Sequence, residues 1–389
     1  MTPRRTGPST RAIHGPPHRK APHTPVSTPI FQSSTFVNAV GSTDEVLYTR
    51  YGNNPNQTEL AARLAALEGA EAAIFLSSGM GATALAHLAI LSPGDHLISS
   101  DWIYGGTRRL FEQEFARLGI AVSFADPSLP RSWKSQLRKT TRAIFLETPT
   151  NPLMRVLDLD PIATLCHTEG IALLVDSTFA SPINFRPLEH GADVVIHSAT
   201  KYLNGHSDVI AGAVAGTEEM VEEVRRLMQI YGQAIDPHAA WLVERGLKTL
   251  AVRMERHNTN GAAFARWAAS HPAVTAAHYP GLASHPDHAL AAATLQGFGG
   301  MVGLELADGA AAERTLRRLR VAQHAPSLGG VETLVSEPRR TSHASLTPAQ
   351  RAAQGIPDGF VRVSLGIEDV DDIIADFTRA LKRGSSRAS

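Results

Sequence analysis

Short runs of β-branched and aliphatic residues alternate with amphipathic segments of roughly ten residues from about Thr58 onward, and no other feature constrains the fold as tightly. TELAARLAALEGAE puts Leu60, Leu64 and Leu67 on one helical face and ends at Gly69, a C-cap candidate. Strands are expected at residues 72–76 (AAIFL), 96–100 (HLISS), 120–124 (IAVSF), 143–147 (AIFLE), 171–176 (IALLVD), 193–198 (DVVIHS) and 209–216 (VIAGAVAG). Between them ATALAHLAIL, RRLFEQEFARLG, residues 131–139 and residues 159–169 are expected as helices. Repetition of this kind needs crossover connections, and so implies a mostly parallel sheet with helices on its faces.

The second half changes character. RGLKTLAVRMERHNTNGAAFARWAA is expected as one long helix or two, followed by strands at 301–307 and 360–366 and a short helix at 311–319. In VDDIIADFTRAL, Val370, Ile373, Ile374, Phe377 and Leu381 share one face. The expected organisation is an irregular arm over 1–49 that touches a neighbouring subunit, a large α/β domain over 50–245, and a smaller α+β domain over 246–389 with KRGSSRAS as a frayed tail. Lys plus Arg and Asp plus Glu both number 37, so the net charge is zero and argues against a nucleic-acid or anionic-membrane surface. No apolar run reaches about 18 residues, and the basic, Pro-rich leader has no apolar core for a secretion signal. A cytoplasmic protein is the expectation, with Cys166, the single cysteine, as a buried inert thiol.

Four segments carry candidate chemistry. In DVVIHSATKYLNGHSD an apolar strand gives way to Ser198, Thr200 and Lys201. A lysine there lies on the ligand-binding edge of a parallel sheet, where its amine can condense with an aldehyde while the hydroxyls donate to a phosphate. On its own the segment equally describes a solvated surface lysine. In LLVDSTFASP, Asp176 ends another strand, where a lone carboxylate is costly without a partner such as a protonated pyridine nitrogen. The plainer reading is an aspartate capping its own turn, and Thr178 follows on the same edge. Ser77-Ser78-Gly79-Met80-Gly81 joins a strand to a helix and offers N–H groups and a hydroxyl to an anion, or is simply a tight turn. Tyr104 in DWIYGGTRR follows a further strand end and can stack on an aromatic ring, or pack in a core. Phosphate donors, ring stack, acid and lysine together imply pyridoxal 5′-phosphate (PLP). Metal chemistry is not expected: HExxH and Cys/His clusters are absent among the 17 histidines, and His197 and His206 are assigned to packing or hydrogen bonding. The GFGG of residues 297–300 lacks the following helix of a dinucleotide site.

In this order, LYTRYGNNP, SSGMGA, YGGT, ETPTNP, VDSTFASP, DVVIHSATKYLNGHS, RGLKTL, SLGGVETL and VRVSLGIED resemble the Cys/Met-metabolism family of PLP enzymes over residues 11–380. That family includes cystathionine γ-synthases, cystathionine γ- and β-lyases, methionine γ-lyases and O-acetylhomoserine sulfhydrylases. The resemblance implies the fold type I (aspartate-aminotransferase-like) architecture and a homotetramer of two active dimers acting on small amino-acid substrates. It implies Lys201 as the lysine that carries the cofactor and shuttles protons, Asp176 as partner of the pyridine nitrogen, and Tyr104 as stacked ring and base towards incoming substrate. Ser78, Gly79, Met80, Ser198 and Thr200 resemble the phosphate seat, with Thr178 beside the ring. Tyr48 and Arg50 resemble a pair that reaches the adjacent subunit's phosphate, and Asn151, Ser327 and Arg362 resemble substrate contacts. Two departures stand out. YTRYGNNP carries an extra residue before its proline, and Ser177 replaces a usual asparagine. Gly106 stands where methionine γ-lyases carry cysteine, while Pro326 and GFGGMVGLEL resemble plant-type γ-synthases. These choices favour γ-replacement on an O-acylated homoserine with cysteine, over γ- or β-elimination by a cystathionine lyase, over an O-acetylhomoserine sulfhydrylase, over a specialised γ-replacement enzyme and over an inactive interaction protein of the same fold.

Overall fold

Seven of the strands form one sheet in a computed structural model that describes residues 6–16, 21–342, 344 and 347–382. They are β1 (Ala72–Leu76), β2 (His96–Ser100), β3 (Ala121–Ala125), β4 (Thr141–Glu147), β5 (Ala172–Asp176), β6 (Val194–His197) and β7 (Gly212–Gly216), in the order β1-β7-β6-β5-β4-β2-β3. β3, β2, β4, β5 and β6 pair in parallel, as expected. β7 runs antiparallel to both its neighbours, β6 and β1. Periodicity fixes which residues are buried but not the direction of a strand, so this reversal is invisible in VIAGAVAG.

The chain divides into two compact units, one of residues 1–149 and 157–252, the other of residues 150–156 and 253–389. In the first unit, Ile74, Leu85, Phe111, Phe115, Phe145, Leu174, Ile196 and Val214 belong to one buried cluster. The helix Pro55–Glu68 shows why local sequence suffices for some elements. Asn54 and Gln57 form a reciprocal capping box, Pro55 opens the first turn, and Gly69 closes the helix at φ 73°. The expected helix at 131–139 is shorter, Pro130–Ser135, because Thr141 already pairs with His96 in the sheet. RRLFEQEFARLG starts as the helix Gly105–Arg109 and widens into a π-helical turn over Leu110–Phe115.

The expected arm is not irregular throughout. Pro8–His14 is helical and rests on the chain's own Pro55–Glu68, with Arg11 donating to Ala66 O at 3.0 Å and Arg63 to Ala12 O at 3.1 Å. Residues 1–5 and 17–20 of that arm, and 383–389 of the tail, lie outside the described residues.

In the second unit, β8 (Ala276–His278), β9 (Met301–Glu305), β10 (Gln323–His324), β11 (Leu334–Ser336) and β12 (Phe360–Ser364) make a sheet in the order β10-β11-β12-β9-β8. Phe264, Val302, Leu304, Val361, Val363 and Phe377 pack within its core. The expected helix at 311–319 is Gly309–Leu316. The segment expected as one long helix or two contributes to two, Pro237–Leu247 and Leu250–Ser270. No helix of the described residues is long and apolar enough to cross a membrane.

Three buried histidines set an acid limit. His87 lies among the rings of Phe111, Phe115 and Phe145, with Nδ1 2.7 Å from Thr83 O. Burial lowers it to about 4, and burial likewise lowers His96 and His257 to about 4. An unfolded histidine takes up a proton near pH 6.5, whereas these folded ones do not until about 4. Their contribution to stability is therefore complete above pH 6.5 and is lost as pH falls towards 4. Thermal melting should show Tm dropping steadily from pH 7 to pH 4.5. The drop should be shallower in His87→Phe; an unchanged slope in that variant would remove His87 from the account.

Candidate active site

Three neighbouring strands end at one edge of the large sheet and place the candidate residues there. Glu147 ends β4, Asp176 ends β5, and β6 ends at His197, immediately before Ser198. The edge is laced together by side chains. Thr178 N–H donates to Asp176 Oδ1 at 2.9 Å, and Ser198 N–H donates to Thr178 Oγ1 at 2.8 Å. Asp176 thus does cap its own turn, in line with the plainer reading of the sequence. That turn also fixes the carboxyl next to the loop bearing Lys201, whose N–H donates to Ser198 O at 3.1 Å.

Ser78 caps the helix Gly79–Leu88, its Oγ accepting from Gly81 N–H at 3.0 Å. The first intrahelical bond runs from Ala82 N–H to Ser78 O, so the N–H groups of Gly79 and Met80 precede the ladder and point out of the helix start. Two glycines make the seat possible. A Cβ on Gly79 would lie 2.8 Å from both Cβ and Oγ of Ser198, and a Cβ on Gly212 would run into the carbonyl of Ser78. The Ser78–Met80 turn and Ser198 therefore close on each other as a cradle that leaves no space for a side chain at position 79. Thr200 is tied differently: its hydroxyl and N–H face Ala211, with Ala211 N–H donating to Thr200 Oγ1 at 2.9 Å and Thr200 N–H to Ala211 O at 3.1 Å.

Tyr104 is 43% exposed and precedes the helix Gly105–Arg109. A side chain on Gly106 would collide with its ring and come within 3.2 Å of Met80 Sδ. Its N–H donates to Glu147 Oε1 at 2.7 Å. Glu147 opens the ETPTNP motif but is given no role by the sequence reading, although it closes a strand just as Asp176 does. The two are partners in the β4–β5 register, so their carboxyls leave the same face. At a strand spacing of about 5 Å and an effective dielectric of about 20, two charges there repel by roughly 3 kcal/mol. Burial, and then the charge of Asp176, hold the Glu147 carboxyl well above the usual carboxylate range. Burial also raises Asp176, against the pull of its Thr178 hydrogen bonds and of His197. His197 bonds Glu68 Oε1 at 2.5 Å, both side chains fully buried, which agrees with its assignment to hydrogen bonding. Cys166 is buried, and burial followed by Asp193 pushes its thiol up to about 12.

Tyr48 and Arg50 lie together: the Arg50 guanidinium is 5.5 Å from the Tyr48 ring centroid and donates to Gln229 O at 2.6 Å. In the second unit, Asn151, Ser327 and Arg362 are brought into one group. Arg362 donates from Nη1 to Asn151 Oδ1 at 3.0 Å and from Nη2 to Ser327 O at 2.8 Å. Ser327 holds φ at 94°, a strained conformation for a non-glycine residue of the kind that clusters at binding sites.

The model of the family described as "Cys/Met metabolism PLP-dependent enzyme" matches residues 9–382. L-methionine gamma-lyase of Porphyromonas gingivalis is 40% identical over 97% of this chain and 97% of that protein. Cystathionine gamma-synthase of Mycobacterium bovis is 44% identical, again over 97% of each. The crystal structure of cystathionine gamma synthase from Xanthomonas oryzae pv. oryzae, in complex with aminoacrylate and cysteine, superimposes with a TM-score of 0.92. That chain is 39% identical, with 97% of this chain and 98% of that chain covered.

A side chain at position 79 meets Ser198 and pushes the two turns apart. Gly79→Val should lower Tm, and in the folded apoprotein the affinity for PLP, measured by fluorescence titration, should fall by about tenfold or more. Unaltered affinity would move the phosphate elsewhere.

Proposed function

Because the chain belongs to the Cys/Met metabolism PLP-dependent enzyme family, we propose that it is a transsulfuration enzyme that exchanges the γ-substituent of an O-acylated homoserine for cysteine. PLP is its cofactor, and the Gly79/Ser198 cradle beside Lys201 and Asp176 fits that group. Bound PLP supplies an electron sink for the charge left when a proton leaves the substrate's α-carbon. Lys201 Nζ would hold the cofactor at rest and, with substrate bound, would carry protons between the α-carbon and the β-carbon. Asp176 keeps a proton on the ring nitrogen. Tyr104 covers the ring and accepts a proton from the incoming substrate amine, and Arg362, set by Asn151 and Ser327, takes the α-carboxylate as a fork. In the net reaction the Cγ–O bond breaks, the acyl carboxylate leaves, the Cγ–S bond forms, and the thiol proton goes to solvent.

The choice of γ-replacement rests on Gly106. The Tyr104 ring occupies the space that a side chain at 106 needs, which favours an enzyme unlike the methionine γ-lyases at this point. The 44% identity to a cystathionine gamma-synthase points the same way. Elimination from cystathionine is the second reading, favoured by the 41% identity to the cystathionine gamma-lyase of Bacillus subtilis.

We also propose that the active form is a homotetramer of two dimers, in which Tyr48 and Arg50 reach the phosphate of the adjacent subunit. Val26, Val37 and Val40 of the leading segment stand almost wholly exposed, apolar surface that a second copy would cover. Light scattering should give four chains, and Arg50→Ala should weaken PLP binding without dissociating them; a monomeric, fully loaded protein would overturn this.

The reaction is decided by product analysis. Incubated with O-succinylhomoserine or O-acetylhomoserine and cysteine, the holoprotein should make cystathionine, and Lys201→Ala should make none. Release of pyruvate or 2-oxobutyrate from cystathionine, with no synthesis from the acylated homoserines, would exclude the first reading.

A further inference from the structure

The Glu147 carboxyl has no part in the chemistry assigned above, yet it occupies the edge between the residue that meets the ring nitrogen and the residue that covers the ring. It ends β4 next to Asp176 in register, is 6% exposed, and binds the one backbone N–H through which Tyr104 is fixed to the sheet. Among the described residues Glu147 has no cation within salt-bridge distance. On the neighbouring strand ends stand Asp176, in register on β5, and His197 on β6, the latter bonded to Glu68, and Lys201 lies on the loop that follows β6.

We propose that Glu147 is a positioning residue that works as an uncharged acceptor: it anchors Tyr104 over the cofactor and leaves the negative charge of the carboxyl pair to Asp176. The reasons are geometric. Tyr104 precedes a helix of five residues and has no side-chain cap of its own, so the tie to Glu147 sets where its ring stands. A carbonyl oxygen is all that the Tyr104 N–H requires. A second full charge beside Asp176 would oppose the charge that the ring nitrogen needs from Asp176 alone. The assignment rests on the reading above that Tyr104 covers the cofactor.

Glu147→Gln preserves the acceptor and cannot ionise, whereas Glu147→Ala removes the acceptor. Melting of both apoproteins is measured first. Should the alanine variant fail to fold, Glu147→Asp, which draws the carboxyl back from the Tyr104 N–H, takes its place. The Gln variant should bind PLP within about threefold of the parent, give the same visible circular dichroism of bound cofactor, and keep the pH profile of kcat/KM. The Ala or Asp variant should lose about tenfold or more in PLP affinity, the scale of one buried N–H left without its acceptor, with a diminished cofactor dichroism. A Gln variant as impaired as Ala would show that the charge is needed and overturn the proposal; an Ala variant indistinguishable from the parent would overturn it as well. Tyr104→Ala separates the causes: if it too leaves PLP affinity and dichroism intact, the placement of Tyr104 fails, and with it the role of Glu147. If Tyr104→Ala is impaired while Glu147→Ala is not, only the anchor is lost.

Discussion

A parallel sheet sends the C-termini of its strands to one edge. Here two adjacent strands end in carboxyls that burial makes costly to charge, Glu147 and Asp176, and a third ends in the buried His197. A carboxylate in such a place needs a partner, because desolvation alone drives it to keep its proton. The chain answers this differently at each strand. His197 is matched with Glu68 inside the protein, Glu147 accepts the Tyr104 N–H, and the charge of Asp176 is favoured by its own turn and by the nearby His197. The proposed function adds a cationic ligand atom at Asp176. A pyridinium nitrogen satisfies it, and the same group brings the phosphate for which the Gly79/Ser198 cradle is shaped. One ligand therefore answers two separate demands of the sheet edge.

Much of this is legible in the order of residues alone. The five parallel strands are short apolar runs, and Lys201, Asp176 and the Ser78–Gly79 turn stand out because each follows such a run. Glu147 does not stand out, although it ends AIFLE in the same way. The strand-end argument that selects Asp176 selects Glu147 too, but only once β4 and β5 are known to be neighbours. Glu68 and Arg63 are beyond that kind of inference. On a helix of mixed polarity they look like surface charges, and only the packing of other elements against Pro55–Glu68 buries them. The minor strands β8, β10 and β11 are three residues or fewer, too short for alternation to register, and pairing creates them, β8 on β9, β11 on β12 and β10 on β11.

In the proposed function the residues gathered at the sheet edge serve proton removal at the α-carbon, a step that replacement and elimination share, so they cannot choose between them. Relatives named for different reactions match this chain to similar degrees over its whole length, which says the same. A tenfold preference needs only about 1.4 kcal/mol in the transition state, less than many single hydrogen bonds to charged groups are worth. The decision must then reside in a few positions that meet the far end of the substrate or admit water. Gly106 is one, since it alone lets the Tyr104 ring lie where it does. Ser327 is another: its carbonyl accepts from Arg362 while its own backbone is strained, so a change at Pro326 or Ser327 alters the placement of the Arg362 guanidinium, the proposed carboxylate clamp, and the loop around it together. Selectivity built this way is shallow in free energy, and a family can shift its chemistry through such positions while its lysine, its acid and its phosphate cradle stay fixed.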